Sequence, residues 1–189
     1  MMFKELSSPK TEVQERNLRY LKNIYFIATC YTLFFILQFN FQFKIYHFNN
    51  TMIPLFLGIS VTPIVARISK SYLITARWLW VFCFLYAFTT VYFSGGFSAP
   101  GAFWMAMLPL VAGILVGKTD LISAIFLTFL GYGIFYFADY FGMSLEFFGD
   151  TQLYHQQKKI NLGMFLAFNV CIIYFFFDKE SVAKKKILM

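Results

Sequence analysis

The sequence contains few of the residues from which metal and cofactor sites are built. Its 189 residues include two histidines and three cysteines, and only 13% of them are charged. His47 and His155 are isolated, while Cys30, Cys83 and Cys171 each lie inside an apolar run without CxxC or Cys/His spacing. Such cysteines are typical of small buried hydrophobic side chains. The sequence therefore indicates no metal site and no cofactor.

Catalytic motifs are also missing. Ser94, Ser98 and Ser144 have no His or Asp partner at a readable spacing. A phosphate-binding loop needs a GxxxxGKS/T or GxGxxG pattern between a strand and a helix, and the Gly95-Gly96 pair fits neither. We therefore expect no enzymatic activity from these residues themselves.

Hydrophobic residues, by contrast, form 59% of the chain, and 22% of the chain is aromatic. A soluble domain is nearer half apolar and a quarter charged. The apolar residues fall in blocks of about twenty, the length that crosses the hydrocarbon core of a bilayer. These blocks cover about residues 23–43, 51–66, 73–93, 102–117, 121–143 and 160–177. They do not alternate as barrel strands do, so they predict an all-α integral membrane bundle of six transmembrane helices.

The distribution of Lys and Arg predicts the orientation of this bundle. With six crossings, the N-terminus, the 67–77 region, the 118–120 turn and the C-terminus lie on one side. That side holds thirteen of the sixteen basic residues, and the other side holds Lys44, Lys158 and Lys159. Because basic residues concentrate on the cytoplasmic side, we expect both termini in the cytoplasm. The same asymmetry explains the net charge of +7 without a nucleic-acid partner.

Three segments follow from this topology. Residues 1–22 are polar and predict a cytoplasmic N-terminal segment, and residues 23–177 form the six-helix transmembrane domain. Residues 178–189 continue the sixth helix with good helix formers, without a glycine or proline stop, and Glu180 and Lys184 form a favourable i,i+4 pair. Residues 178–189 have two interpretations: the start of a helical linker to a cytoplasmic output domain, or a basic tail at the anionic inner leaflet.

The densest cluster of Gly, Ser and Pro joins the third and fourth helices on the extracytoplasmic side. The backbone N–H and C=O groups of an irregular segment beside lipid must form hydrogen bonds with protein or line a water-filled cavity. The following segment, 102–117, would be about 24 Å long as a helix, shorter than the roughly 30 Å of hydrocarbon. Pro109 and Pro63 are predicted positions of helix kinks. The candidate ligand-binding residues in the loop are Ser94, Gly95, Gly96, Ser98 and Pro100.

Aromatic and acidic residues near the outer helix ends complete the candidate site. Trp104 follows the loop by one turn and, with Tyr86, Tyr92 and Tyr140, would line an aromatic pocket. The alternative role for Trp104 is a residue of the interfacial aromatic belt. Asp139 is a carboxylate within a membrane segment, which favours a functional or paired role. The alternative for Asp139 is a position close enough to the interface to be hydrated.

The loop resembles a pattern in the multi-helix membrane input domains of bacterial sensor histidine kinases and of some nucleotide cyclases. In that pattern a small-Gly-Gly-x-x-Ser-Pro loop is followed by a Trp and by a Pro in the next helix. In this chain Ala99 separates Ser98 from Pro100. The resemblance is concrete over residues 93–117 and architectural elsewhere. It is carried by Ser94-Gly95-Gly96-Phe97-Ser98-Ala99-Pro100, Phe103-Trp104, Pro109, Gly113 and Gly117.

The resemblance implies a sensory input domain in the bacterial inner (cytoplasmic) membrane. Such a domain passes an extracytoplasmic or membrane signal through helix six to a kinase or cyclase domain, which would be the enzyme. It also implies a homodimer through the C-terminal helix and a small-molecule or lipid ligand of unknown identity.

A second hypothesis, drawn from size and topology, is a small six-helix transporter or substrate-binding membrane subunit, because segments interrupted by Gly and Pro point to transport sites. The absence of an internal repeat and the scarcity of polar groups in the middle of the helices argue against it. A membrane enzyme is the weakest of the three hypotheses, because no catalytic set converges.

Overall fold

The computed structural model describes residues 12–41, 49–93, 102–141 and the helical positions 155, 159–160, 162–163 and 166. All regular structure in these ranges is helical, which confirms the all-α fold class. The chain forms two compact units, Met1–Phe147 and Phe148–Met189, and the helices named here belong to the first. They are α1 (Glu12–Phe41), α2 (Asn49–Ser60), α3 (Thr62–Ser69), α4 (Tyr72–Phe93), α5 (Ala102–Leu115) and α6 (Lys118–Tyr140).

Several of these helices match the membrane crossings that the sequence predicts. Within the described ranges, Asn17–Gln38 of α1, Tyr72–Phe93 of α4 and Asp120–Ala138 of α6 are long and apolar enough to span a bilayer. The α2 and α3 helices pass the same test together but are bent by 42° at a short break, so they can form one further crossing. The α5 helix is apolar but has only 14 residues. These apolar helices indicate a membrane-associated protein.

The described boundaries differ from the predicted ones at two places. The first helix begins at Glu12, within the predicted N-terminal segment 1–22, and runs without interruption to Phe41. The predicted second helix, 51–66, is divided at Val61 into α2 and α3. The predicted sixth helix, 160–177, lies outside the described residues except at positions 160, 162–163 and 166, and the segment 178–189 lies outside them entirely.

Local backbone chemistry sets the turn before α4 and the turn after α5. The α3 helix ends at Lys70, whose φ of 50° is left-handed and whose N–H donates to the Ala66 carbonyl at 3.1 Å. Ser71 then caps α4, because its Oγ accepts a hydrogen bond from the N–H of Ile74 at 3.4 Å. At the end of α5, Gly117 adopts φ 112°, a conformation that glycine tolerates best.

The α5 helix packs against α4, α6 and α1. Val91 of α4, Met105 and Leu108 of α5 and Phe135 of α6 form a buried cluster. A glycine brings the helices close here, since a Cβ added to Gly131 would lie 2.6 Å from the Met105 methyl group. The outer faces of α1, α4 and α6 carry most of the exposed large apolar side chains.

Candidate functional site

The structure describes some of the predicted site residues and not others. Ser94, Gly95, Gly96, Ser98 and Pro100 lie outside the described residues. Asp139 belongs to the last turn of α6, and its side chain also lies outside the described part of the chain. The predictions for these positions therefore stay predictions.

The four predicted aromatic residues fall into two groups. Tyr92 and Tyr140 lie on the surface and are 45% and 74% exposed. Tyr86 is 3% exposed, and Trp104 is half-buried in the first turn of α5. The structure thus buries Tyr86, partly buries Trp104 and leaves the other two on the surface.

Tyr86 and Trp104 contact consecutive residues of α1. The ring centroids of Trp104 and Tyr31 are 4.3 Å apart, with the ring planes inclined by 50°. The Tyr86 hydroxyl donates to the Thr32 carbonyl at 3.2 Å. We call Tyr31, Thr32, Tyr86 and Trp104 the α1 junction, because α4 and α5 both reach α1 there.

Thr32 takes part in the α1 junction without breaking its own helix. Its Oγ1 lies 2.9 Å from the Ala28 carbonyl and 3.1 Å from the Thr29 carbonyl, so the hydroxyl is satisfied within α1. Its carbonyl has a second lone pair, and this accepts the Tyr86 hydroxyl. The hydroxyls of Thr32 and Tyr86 are therefore engaged in hydrogen bonds, and the rings of Tyr31 and Trp104 pack against each other at an angle.

The sequence assigned Thr32 to interhelical hydrogen bonding but placed neither Tyr31 nor Thr32 in the candidate site. The chain has 27 Phe and 12 Tyr, so a single tyrosine within an apolar run carries no distinguishing pattern. The available indication was the threonine pair Thr29 and Thr32 beside Tyr31. Thr side chains in membrane helices often bond to the preceding turn and mark faces where helices meet.

A polar cluster joins the start of α4, the end of α5 and the start of α6. Arg77 donates from Nε to Asp120 Oδ1 at 3.0 Å and from Nη2 to Oδ2 at 3.1 Å, a two-point ion pair between α4 and α6. The Tyr72 hydroxyl donates to the Leu115 carbonyl at 2.6 Å and so joins α4 to the end of α5. Asp120 also lies in the first turn of α6, where a negative charge is favourable. We call these four residues the α4–α6 clamp.

The break between α2 and α3 is a third polar feature, because backbone carbonyls there accept hydrogen bonds from side chains. Pro63 lies in the first turn of α3, directly after the break at Val61. Three consecutive carbonyls precede the break, and each accepts a side-chain hydrogen bond. Trp78 Nε1 donates to Gly58 at 2.8 Å, Thr62 Oγ1 to Ile59 at 2.6 Å, and the Tyr25 hydroxyl to Ser60 at 3.4 Å.

No protein-family model, no curated protein and no solved structure matches the chain. The likeness to sensory input domains therefore depends on the motif in residues 93–117 and on the predicted architecture.

The three clusters differ in what they can do chemically. The α1 junction couples α5, the helix after the glycine-rich loop, to α1 through ring packing, and it couples α4 to α1 through one hydrogen bond. The α4–α6 clamp fixes one end of three helices by charge and hydrogen bonds. At the α2–α3 break, protein donors occupy the carbonyls that an ion or substrate would otherwise use. All three clusters therefore consist of contacts between helices or at a helix break within the described residues.

Proposed function

We propose that this chain is the sensory input domain of a bacterial inner-membrane receptor, with six transmembrane helices and both termini in the cytoplasm. It passes an extracytoplasmic or membrane signal through its sixth helix to an output domain such as a histidine kinase or a nucleotide cyclase. The α1 junction supports this proposal most, because Trp104 lies just after the glycine-rich loop and packs on Tyr31 of α1. A change in the loop therefore has a direct mechanical route to the first helix.

The α4–α6 clamp supports the same reading from the other end of the bundle. Because Arg77 and Asp120 hold α4 and α6 together there, a displacement of α5 near Trp104 acts as a rotation about the clamped end. A ligand that binds one arrangement of these helices better than another shifts the population of the bundle toward that arrangement. The signal leaves through the sixth helix, residues 160–177.

The experiment compares output activity in membranes that contain the full native protein, including whatever follows residue 189. Trp104→Ala removes the ring that packs on Tyr31 and should change basal kinase or cyclase activity several-fold, since it uncouples the loop from α1. Phe126→Ala is the matched control, because Phe126 is a large aromatic residue on the exposed face of α6 and its loss should leave activity unchanged. Equal effects of the two variants would contradict the proposal. So would a coding sequence that stops at Met189 together with a strictly monomeric protein in lipid.

The second candidate, a small six-helix transporter, is favoured by the broken span α2–α3. Discontinuous helices carry the substrate sites of many transporters, where unwound carbonyls bind the coupling ion. Here the carbonyls of Gly58, Ile59 and Ser60 already accept protein hydrogen bonds, which argues against an ion site at this break. Charge movement on a solid-supported membrane, recorded while Na⁺ or a proton gradient is applied to the reconstituted protein, distinguishes the two. A sustained current would favour the transporter.

A further inference from the structure

The backbone cannot make all of its regular helical hydrogen bonds at the break between α2 and α3. In a continuous helix the Ile59 carbonyl would accept the N–H of residue 63, but that residue is Pro63, which has none and whose ring clashes with the carbonyl four residues earlier. The N–H of Ile64 donates instead to the Val61 carbonyl at 2.8 Å, one residue short of its regular partner. Pro63 therefore removes one helical hydrogen bond at this point and favours a bend.

Two of the three carbonyls before the break have alternative donors. In a straighter helix the Ser60 carbonyl would accept the N–H of Ile64, and the Gly58 carbonyl would accept the N–H of Thr62. In the structure they accept instead the Tyr25 hydroxyl of α1 and the Trp78 indole N–H of α4. In the bent arrangement these side chains therefore satisfy two carbonyls that a straighter helix would satisfy with its own N–H groups.

The third carbonyl has no such alternative. Because Pro63 cannot donate, the Ile59 carbonyl depends on the hydroxyl of Thr62 in either arrangement, and that hydrogen bond is the shortest of the three at 2.6 Å. Thr62 is fully buried, so water does not replace it. The break thus contains one local hydrogen bond and two that depend on side chains of other helices.

We infer that the α2–α3 break is a hinge whose bent state is held by two latches from other helices, Tyr25 of α1 and Trp78 of α4. The hinge goes beyond the proposed function, and it rests on the geometry of the break alone. The Tyr25 latch is the weaker one, since its contact of 3.4 Å exceeds the usual hydroxyl–carbonyl distance of about 2.8 Å. A shift of α1 therefore releases it first.

The size of the movement follows from the length of α3. Its 8 residues make a lever about 12 Å long at 1.5 Å per residue. Complete straightening of the 42° bend would move the far end of α3 by about 9 Å, and a change of about 15° would move it by about 3 Å. That end leads through Lys70 and Ser71 into α4, beside the α4–α6 clamp.

The experiment measures the distance between spin labels on α3 and α4. Ile68 is 79% exposed and Leu85 is also on the surface, so Ile68→Cys and Leu85→Cys carry the labels in a full chain whose native cysteines are replaced by alanine. In lipid nanodiscs, Tyr25→Phe should add a second distance to the distribution measured between the labels at positions 68 and 85. Given the length of α3, this distance should differ from that of the parent protein by about 3 Å or more. Trp78→Phe, which keeps an aromatic ring beside Phe82, should do the same. The double variant should populate the new component most.

Two controls show whether the movement belongs to the hinge. Tyr136→Phe removes a hydroxyl from an exposed tyrosine of α6 and should leave the α3–α4 distance unchanged. A second label pair, Leu85→Cys with Phe126→Cys, reports on α4 and α6 and should stay constant in every variant. An α3–α4 distance that stays at its parent value in both Tyr25→Phe and Trp78→Phe overturns the hinge. An equal change in the α4–α6 pair also overturns it, because it would mean a loosened bundle.

These measurements need neither a signal nor an output domain. The hinge can therefore fail while Trp104→Ala still alters output, and output can be unaffected by Trp104→Ala while the hinge moves. The two proposals are separately testable.

Discussion

Replacing Gly58 by alanine should destabilise the contact between α2 and α4. A Cβ at this position would lie 2.0, 2.2 and 2.7 Å from three atoms of the Phe82 ring. Carbon atoms pack best at about 3.5–4.0 Å, so the ring would have to retreat by about 1.5 Å. It has little room, because Trp78 packs on it with ring centroids 4.7 Å apart and is itself tied to the Gly58 carbonyl. Overpacking of this kind typically costs about 1–3 kcal/mol, and we expect Gly58→Ala to lower the free energy of unfolding by about 2 kcal/mol.

Two other glycines on the same chain provide matched controls. A Cβ at Gly131 would lie 2.6 Å from the Met105 methyl group, the flexible end of its side chain, so Gly131→Ala should cost less than about 1 kcal/mol. A Cβ at Gly133 meets nothing within 4 Å. Because alanine favours the helix over glycine by up to about 1 kcal/mol, Gly133→Ala should be neutral or stabilising. The expected order of stability is therefore Gly133→Ala, then Gly131→Ala, then Gly58→Ala.

The assay is reversible unfolding of the purified protein in mixed micelles of rising SDS fraction, followed by circular dichroism. A double-mutant cycle tests the cause, since the added methyl group meets no ring when Gly58→Ala is made together with Phe82→Ala. The cost of Gly58→Ala should then fall to near zero. If that cost is undiminished beside Phe82→Ala, or if Gly133→Ala is as harmful as Gly58→Ala, the steric reasoning is refuted.

Three further predictions concern the polar and aromatic contacts. Thr62→Val leaves the carbonyl before the break without a donor and should cost about 1–3 kcal/mol in the same assay, whereas Thr62→Ser should stay close to the parent. A cycle of Tyr31→Ala and Trp104→Ala should give a coupling energy of about 0.5–1.5 kcal/mol, and an additive result would mean that the ring contact contributes nothing. Arg77→Gln and Asp120→Asn should be non-additive, and their coupling should shrink as the ionic strength rises from about 0.01 M to about 1 M, because the Arg77 side chain is half exposed. A coupling independent of salt would contradict that last prediction.

Hydropathy and length predicted most of the helices that the structure describes. The segments 73–93 and 121–143 correspond to α4 and α6, because an apolar run of about twenty residues leaves few alternatives to a spanning helix. The segment 102–117 corresponds to the short α5. Pro63 was predicted to kink a helix, yet the sequence placed it near the end of one span. In the structure the break before it divides that span into two helices.

Contacts between helices were much less predictable. The Lys and Arg distribution predicts the orientation of the helices, and aromatic residues indicate the position of the membrane interfaces. Neither pattern predicts which helix a given side chain contacts. Asp120 and Arg77 were both predicted at the cytoplasmic ends, and their pairing follows only from the side-by-side placement of α4 and α6. Tyr31 is indistinguishable in sequence from the other tyrosines of apolar runs, and its partner Trp104 becomes evident only once α5 lies against α1.

The position of α5 has a consequence for how the protein meets bilayers of different thickness. With 14 residues this helix is about 21 Å long, well below the roughly 30 Å of hydrocarbon. Neighbouring helices flank it and bury six of its described residues. In a bilayer, hydrophobic mismatch would fall mainly on α1, α4 and α6, which are long enough to span it and could tilt in response, and it would reach α5 largely through the contacts of α5 with these helices.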